Sequence, residues 1–193
     1  MSKNNRDKYR SESTRLKSWD YGWNASYFVT ICTKGKVYSF GNIVAEEILL
    51  SDVGKIAKEC WIEIPFHFPF VHLGEFIVMP NHVHGIINIR KSSVETQNFA
   101  SQNYDSNRVK ERENIPSRRR QRSLNVFGPQ SRNLGSVVRG FKIGVTKQAR
   151  SIDQEFSWQP RYHDHIIRDE ESYQRISEYI QWNPRNWKTD KYR

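Results

Sequence analysis

The sequence predicts an α+β fold in which helices pack on an antiparallel sheet, and three observations predict it. Phe76 to Ile89 reads as two apolar, β-branched runs around a Pro80-Asn81 turn, the pattern of an antiparallel hairpin. Apolar stripes at helical spacing recur at Val53 to Ile64, Leu134 to Ala149 and Tyr173 to Ile180. The strand-like and helix-like runs then follow one another as strand, helix, hairpin, helix, strand and a further helix.

Each element has its own local cause. Residues 1–20 carry six basic against three acidic residues with no period, and read as a basic arm or equally as a solvated tail. Tyr27 to Thr33 is β-branched and aromatic throughout, apolar on both faces as a central strand is, and ends at Lys34-Gly35-Lys36. Phe40-Gly41-Asn42 makes a turn, and Ile43 to Leu50 reads as a short extended piece. Ser51 is a good N-cap for a helix that Pro65 stops near Ile64, with Val53, Ile56, Ala57, Cys60, Trp61 and Ile64 as its apolar stripe. Val71 to Met79 and His82 to Arg90 form the hairpin. Residues 91–133 are rich in Ser, Asn, Gln, Arg and Glu, with nine basic against four acidic residues, and read as a polar, mobile insertion.

Order returns at Leu134, where Leu134, Val137, Val138, Phe141, Val145 and Ala149 form a stripe and Arg139, Lys147 and Arg150 lie opposite it. Arg161 to Arg168 is strand-like. The last helix begins near Asp169, whose acidic neighbours complement the helix dipole, and buries Tyr173, Ile176 and Ile180. The order β-α-β-β-α-β with one extra C-terminal helix is that of a ferredoxin-like, or RRM-like, antiparallel sheet. One domain over 21–193 is expected, preceded by the arm 1–20 and interrupted by 91–133.

The chain has 193 residues, a formal net charge of +10, a pI near 9.7 and a mean hydropathy of -0.81. Most of that charge sits on the arm and the insertion, so the folded remainder is nearly neutral and the basic segments call for a polyanion, nucleic acid before membrane. Cys32 and Cys60 stand inside apolar runs without CxxC spacing, which excludes a disulfide scaffold or thiolate zinc site and suits a reducing compartment. No run is long enough to span a bilayer. A soluble, cytoplasmic protein is expected, associated with the nucleoid when on DNA.

Candidate chemistry gathers at two places. His82 and His84 alternate with Val83 on one strand, so both imidazoles face the same way and make half a coordination shell. They read equally as two surface histidines. Tyr179 and Asn183 share one face of the last helix beside its apolar stripe, and Asn183 can complete a His-His-Asn set if that helix crosses the sheet there. Pro184 biases Asn183 away from helical geometry. His163 and His165 form a rival pair, but their middle residue Asp164 would have to turn inward; His165 remains a candidate to line the same cavity. Tyr173 belongs to the core stripe. Arg118, Arg119, Arg120 and Arg122 read as phosphate contacts or, equally, a solvated loop, and no carboxylate is an obvious base near the histidines.

With Asp20-Tyr21 leading into the first strand, Val78 to Gly85, Asp164 to Arg168 and Tyr179 to Pro184 in this order and spacing, the sequence resembles the small single-tyrosine HUH transposases of the insertion-sequence 200-like type. It looks most like the REP-associated tyrosine transposases. The resemblance implies Tyr179 as nucleophile and His82, His84 and Asn183 as ligands of Mg2+ or Mn2+. It also implies cleavage and rejoining of single-stranded DNA, from a hairpin-forming repeat, through a 5'-phosphotyrosine, by a monomer or homodimer. Arg118, Arg119, Arg120, Arg122, Arg139, Lys147 and Arg150 are the expected nucleic-acid contacts. A noncatalytic RRM-like nucleic-acid-binding protein is the second reading; it needs neither Tyr179 nor Asn183. A small metallohydrolase would want a carboxylate at the histidines, and the sequence places none.

Overall fold

The computed structural model describes residues 16, 18–92 and 132–193. Most of the arm 1–20 and of the insertion 91–133, with Arg118, Arg119, Arg120 and Arg122, lies outside the described residues. Four strands form one antiparallel sheet in the order β4-β5-β1-β6: β1 (Ala25–Cys32), β4 (Val71–Met79), β5 (His82–Ile89) and β6 (His163–Ile167). β1 is a central strand, pairing β5 on one side and β6 on the other, with Thr30 facing His84 and His163. The hairpin β4–β5 turns through Pro80 and Asn81, with a bulge between Leu73 and Phe76.

Two helices lie on one sheet face and one on the other. α1 (Asp52–Ile62) starts at Ser51, whose hydroxyl accepts from the Gly54 amide at 3.0 Å. α3 (Leu134–Ala149) starts at Asn133 in a reciprocal capping pair with Ser136. Their stripes bury Ala57, Trp61, Leu134, Val137, Phe141 and Val145 against Tyr27, Val29, Ile31, Val83 and Ile87. The final helix α4 (Glu170–Trp182) is capped by Asp169, which accepts from the Ser172 amide at 2.7 Å, and covers the other face through Tyr173, Ile176 and Ile180 on Ile86, Ile77 and Ile167. A side chain at Gly74 would run into the Tyr173 hydroxyl, so the bulge there lets α4 come close.

Three local expectations change. The extended piece at 43–50 is a two-stranded hairpin, β2 (Gly41–Val44) and β3 (Glu47–Leu50), because Ala45 and Glu46 both take positive φ and reverse the chain. Pro65 does not end helical structure but opens the short α2 (Ile64–His67), since the first turn needs no amide from proline. Asn183 keeps helical angles (φ -57, ψ -41) despite Pro184, as the buried C-cap of α4 whose side-chain amide donates to Asp190. Among the described residues no helix is long and apolar enough to cross a membrane.

Candidate active site

His82 and His84 project from the same face of β5 with ring centroids 4.3 Å apart, and both are fully buried rather than surface residues. The C-terminal segment covers them. After α4 the chain turns through a 3-10 turn at Trp187–Thr189 and runs back over the hairpin, where Tyr192 lies 5.4 Å from the rings of His82, His84 and His163. Lys36 donates to the carbonyls of Lys191 and Arg193, at 3.3 and 2.8 Å, and holds that return.

Each imidazole is oriented by a buried neighbour. Asn81 Oδ1 accepts from His82 Nδ1 at 2.7 Å, which leaves His82 Nε2 as the acceptor nitrogen. Asn81 Nδ2 donates in turn to the carbonyls of Tyr192 (3.0 Å) and Lys36 (3.3 Å), so one amide ties the histidine to the returning chain. Thr30 Oγ1 lies 2.9 Å from His84 Nδ1. Burial holds both histidines neutral, His82 further lowered by its neighbour His84. Neutral imidazoles with their Nδ1 occupied present Nε2 as ligands.

α4 delivers the other predicted groups. Tyr179 is 38% exposed, with its hydroxyl 3.3 Å from His84 Nε2, and Asn183 is buried one turn further on. The structure adds a residue that sequence reasoning missed. Asp190 Oδ2 accepts from Asn183 Nδ2 at 2.8 Å and lies 3.4 Å from the Tyr179 hydroxyl and 4.0 Å from His84 Nε2. A carboxylate therefore does stand at the histidines, contrary to the sequence expectation, because the chain after α4 doubles back onto the sheet. No periodicity or motif marked it. Its Oδ1 also accepts from the Tyr192 amide at 2.6 Å, and against burial the hydrogen bonds from Tyr192 and Asn183 hold its carboxyl well below the usual range. Burial first, then the Asp190 charge, push the Tyr179 phenol up to about 12.

Ligand atoms of His82, His84 and Asp190 all lie within 4.8 Å of one another. His82 Nε2 and Asn183 Oδ1 are buried with no hydrogen-bond partner in the described residues, a state that buried polar atoms rarely keep without an ion or water. Two imidazoles, a carboxylate and an amide oxygen thus suit a divalent cation of borderline hardness. Beside them, Tyr179, Asn183, Asp190 and Phe28 line a cavity of about 490 Å³.

The remaining candidates fall elsewhere. His165 is exposed on the same sheet face, beside Phe28 and outside the ligand cluster, and His163 lies next to it. Tyr173 packs in the second core as expected. Arg139, Lys147 and Arg150 are exposed along the outer side of α3, where they line a cavity of about 590 Å³ on the far side of the sheet.

In this chain a helical tyrosine stands over a histidine pair on an α+β sheet fold, and a solved protein shares the fold. A solved REP-associated tyrosine transposase bound to a REP hairpin superposes with a TM-score of 0.55 at 16% identity, over 92% of this chain and 74% of that one, and so shares its fold. No family model matches the sequence. An uncharacterized protein of Haemophilus influenzae (strain KW20 / Rd) is 42% identical over 183 residues, spanning 94% of this chain and 92% of its own length. The chain belongs to one family with that protein. The fold implied by the resemblance to REP-associated tyrosine transposases is the fold observed.

Proposed function

We propose that the protein is a transposase or endonuclease of single-stranded DNA that cleaves and rejoins strands through Tyr179. The observation that carries this reading is the meeting of Tyr179 with the His82, His84, Asn183 and Asp190 cluster, which joins the middle of the chain to its C-terminal part at one point. An RRM-like binding module has no use for such a cluster.

In this reading Tyr179 Oη attacks the phosphorus, the bond to the 3'-oxygen breaks, and the protein keeps a 5'-phosphotyrosine until a 3'-hydroxyl reverses the step. His82, His84, Asn183 and Asp190 would hold a divalent ion, which would supply positive charge for the phosphate oxygens and the leaving 3'-oxygen. The donor set favours manganese over magnesium, which prefers all-oxygen shells. A phenol near 12 would gain from that charge, because burial first and then the Asp190 carboxylate oppose its ionisation. With the His84 Nε2 lone pair given to an ion, Asp190 Oδ2, 3.4 Å from the hydroxyl, is the acceptor within reach of the phenol proton among the described residues. The fold neighbour's hairpin supports a hairpin-forming repeat as the DNA. Arg139, Lys147 and Arg150, with the arginines at 118–122, would contact its backbone, in a cytoplasmic protein working as monomer or homodimer.

The test incubates labelled single-stranded hairpins of varied sequence with manganese and either wild type or Tyr179→Phe, then denatures. A covalent adduct from wild type alone is expected. No adduct on any hairpin, or an equal adduct from Tyr179→Phe, overturns the reading.

A further inference from the structure

α4 packs on β4, on β5 and on the Ile167 end of β6, and leaves a strip of the second sheet face uncovered at Phe28 of β1 and at His163 and His165 of β6. Phe28 pairs with His165, and Thr30 with His163, so the side chains of Phe28, His163 and His165 stand side by side on that face. Both histidines are exposed, and Phe28 is only partly covered. Phe28 also touches the reaction centre. Its ring meets Tyr179 edge-on at 6.0 Å and lies 5.2 Å from His84, and it lines the cavity that holds Tyr179.

The floor continues away from the nucleophile. His165 lines a second cavity, of about 470 Å³, with Arg168, Ser172 and Arg175, and Arg175 stands four residues before Tyr179 on α4. Asp169 is also there, but its carboxylate accepts the Ser172 amide as the cap of α4. Asp164 borders the same cavity from the opposite pleat. Rings fixed on rigid strands, with guanidinium groups along one border, match a ligand with alternating flat faces and phosphates. A base inside a duplex cannot lay its face on a ring, so the ligand is unpaired.

We propose that this uncovered strip seats the unpaired nucleotides beside the phosphate that Tyr179 attacks, one base on Phe28 and the next on His165, with their phosphates toward Arg168 and Arg175. The proposal rests on the strand-transfer reading and adds the groove that delivers the strand.

The test uses full chains carrying Tyr179→Phe, so that no strand is cut, and a labelled hairpin with thymidine flanks on both sides, read by fluorescence anisotropy with manganese. Phe28→Leu keeps the apolar packing and removes the ring; it and His165→Ala should each weaken binding roughly 5- to 150-fold, the range for one stacked base. An abasic nucleotide next to the cleavage point, located by the adduct that unsubstituted protein forms, should weaken binding to the parent by the same factor and add nothing in Phe28→Leu. If both variants, with unchanged melting temperatures, bind within twofold of the parent, or if the abasic loss is as large in Phe28→Leu, the seat is refuted. Should the unsubstituted protein still form its adduct, only the seat fails; should no DNA give an adduct, the strand-transfer reading falls and takes the seat with it.

Discussion

Asn81→Ala is the most informative perturbation of the site. The Asn81 side chain is fully buried and makes three hydrogen bonds: it accepts from His82 Nδ1 and donates to the carbonyls of Tyr192 and Lys36. Alanine leaves the buried His82 N–H unsatisfied, which costs about 1–3 kcal/mol of stability. It also frees His82 to change tautomer, turning Nε2 from a lone pair into an N–H. Losing an outer partner of this kind weakens metal binding ~10–100-fold, or about 1.4–2.7 kcal/mol. Isothermal titration with Mn2+ reads the second quantity, and denaturant unfolding in a chelator reads the first. Asn81→Asp should recover most of the metal affinity, since a carboxylate accepts the same N–H, while still losing both donations to backbone carbonyls. Manganese affinity within twofold of wild type in Asn81→Ala, measured where His82→Ala abolishes binding, would overturn this account of the amide.

The same geometry sets three other expectations. In chelator, His82 and His84 stay neutral in the fold with pKa values below 6.5, so below that pH only the unfolded chain takes up their protons. Stability should therefore fall as the pH drops from 7 to 5, by up to about 1.4 kcal/mol per pH unit per histidine, and a melting temperature flat over that range would contradict it. Gly85→Ala should destabilise the fold by about 1–3 kcal/mol in urea unfolding, because the new methyl would run into the Trp61 ring on the first sheet face. Replacing Arg139, Lys147 and Arg150 together by alanine should flatten the slope of log binding constant against log salt for duplex stems by about 2–3, at about 0.9 for each phosphate no longer neutralised; an unchanged slope would remove them from the DNA interface.

Local pattern is enough to define the sheet and its layers. The stripes of α1 and α3 are buried where their spacing puts them, and His82 and His84 share a face because strand alternation leaves no other choice. Tyr179 and Asn183 are legible for the same reason, as two residues one helical turn apart on a helix with an apolar stripe. The rest of the site lies where no period operates. Asp190 and Tyr192 reach the histidines through an irregular segment that folds back, and neither propensity nor spacing records where such a segment lands. Asn81 reads as a turn residue, yet its amide orients His82 and pins the returning chain, a role set by partners at positions 36 and 192. Periodicity fixes which way a side chain points, whereas the carboxylate, the tautomer and the closure of the site depend on groups distant in sequence meeting in a buried space, and only the completed fold supplies that meeting.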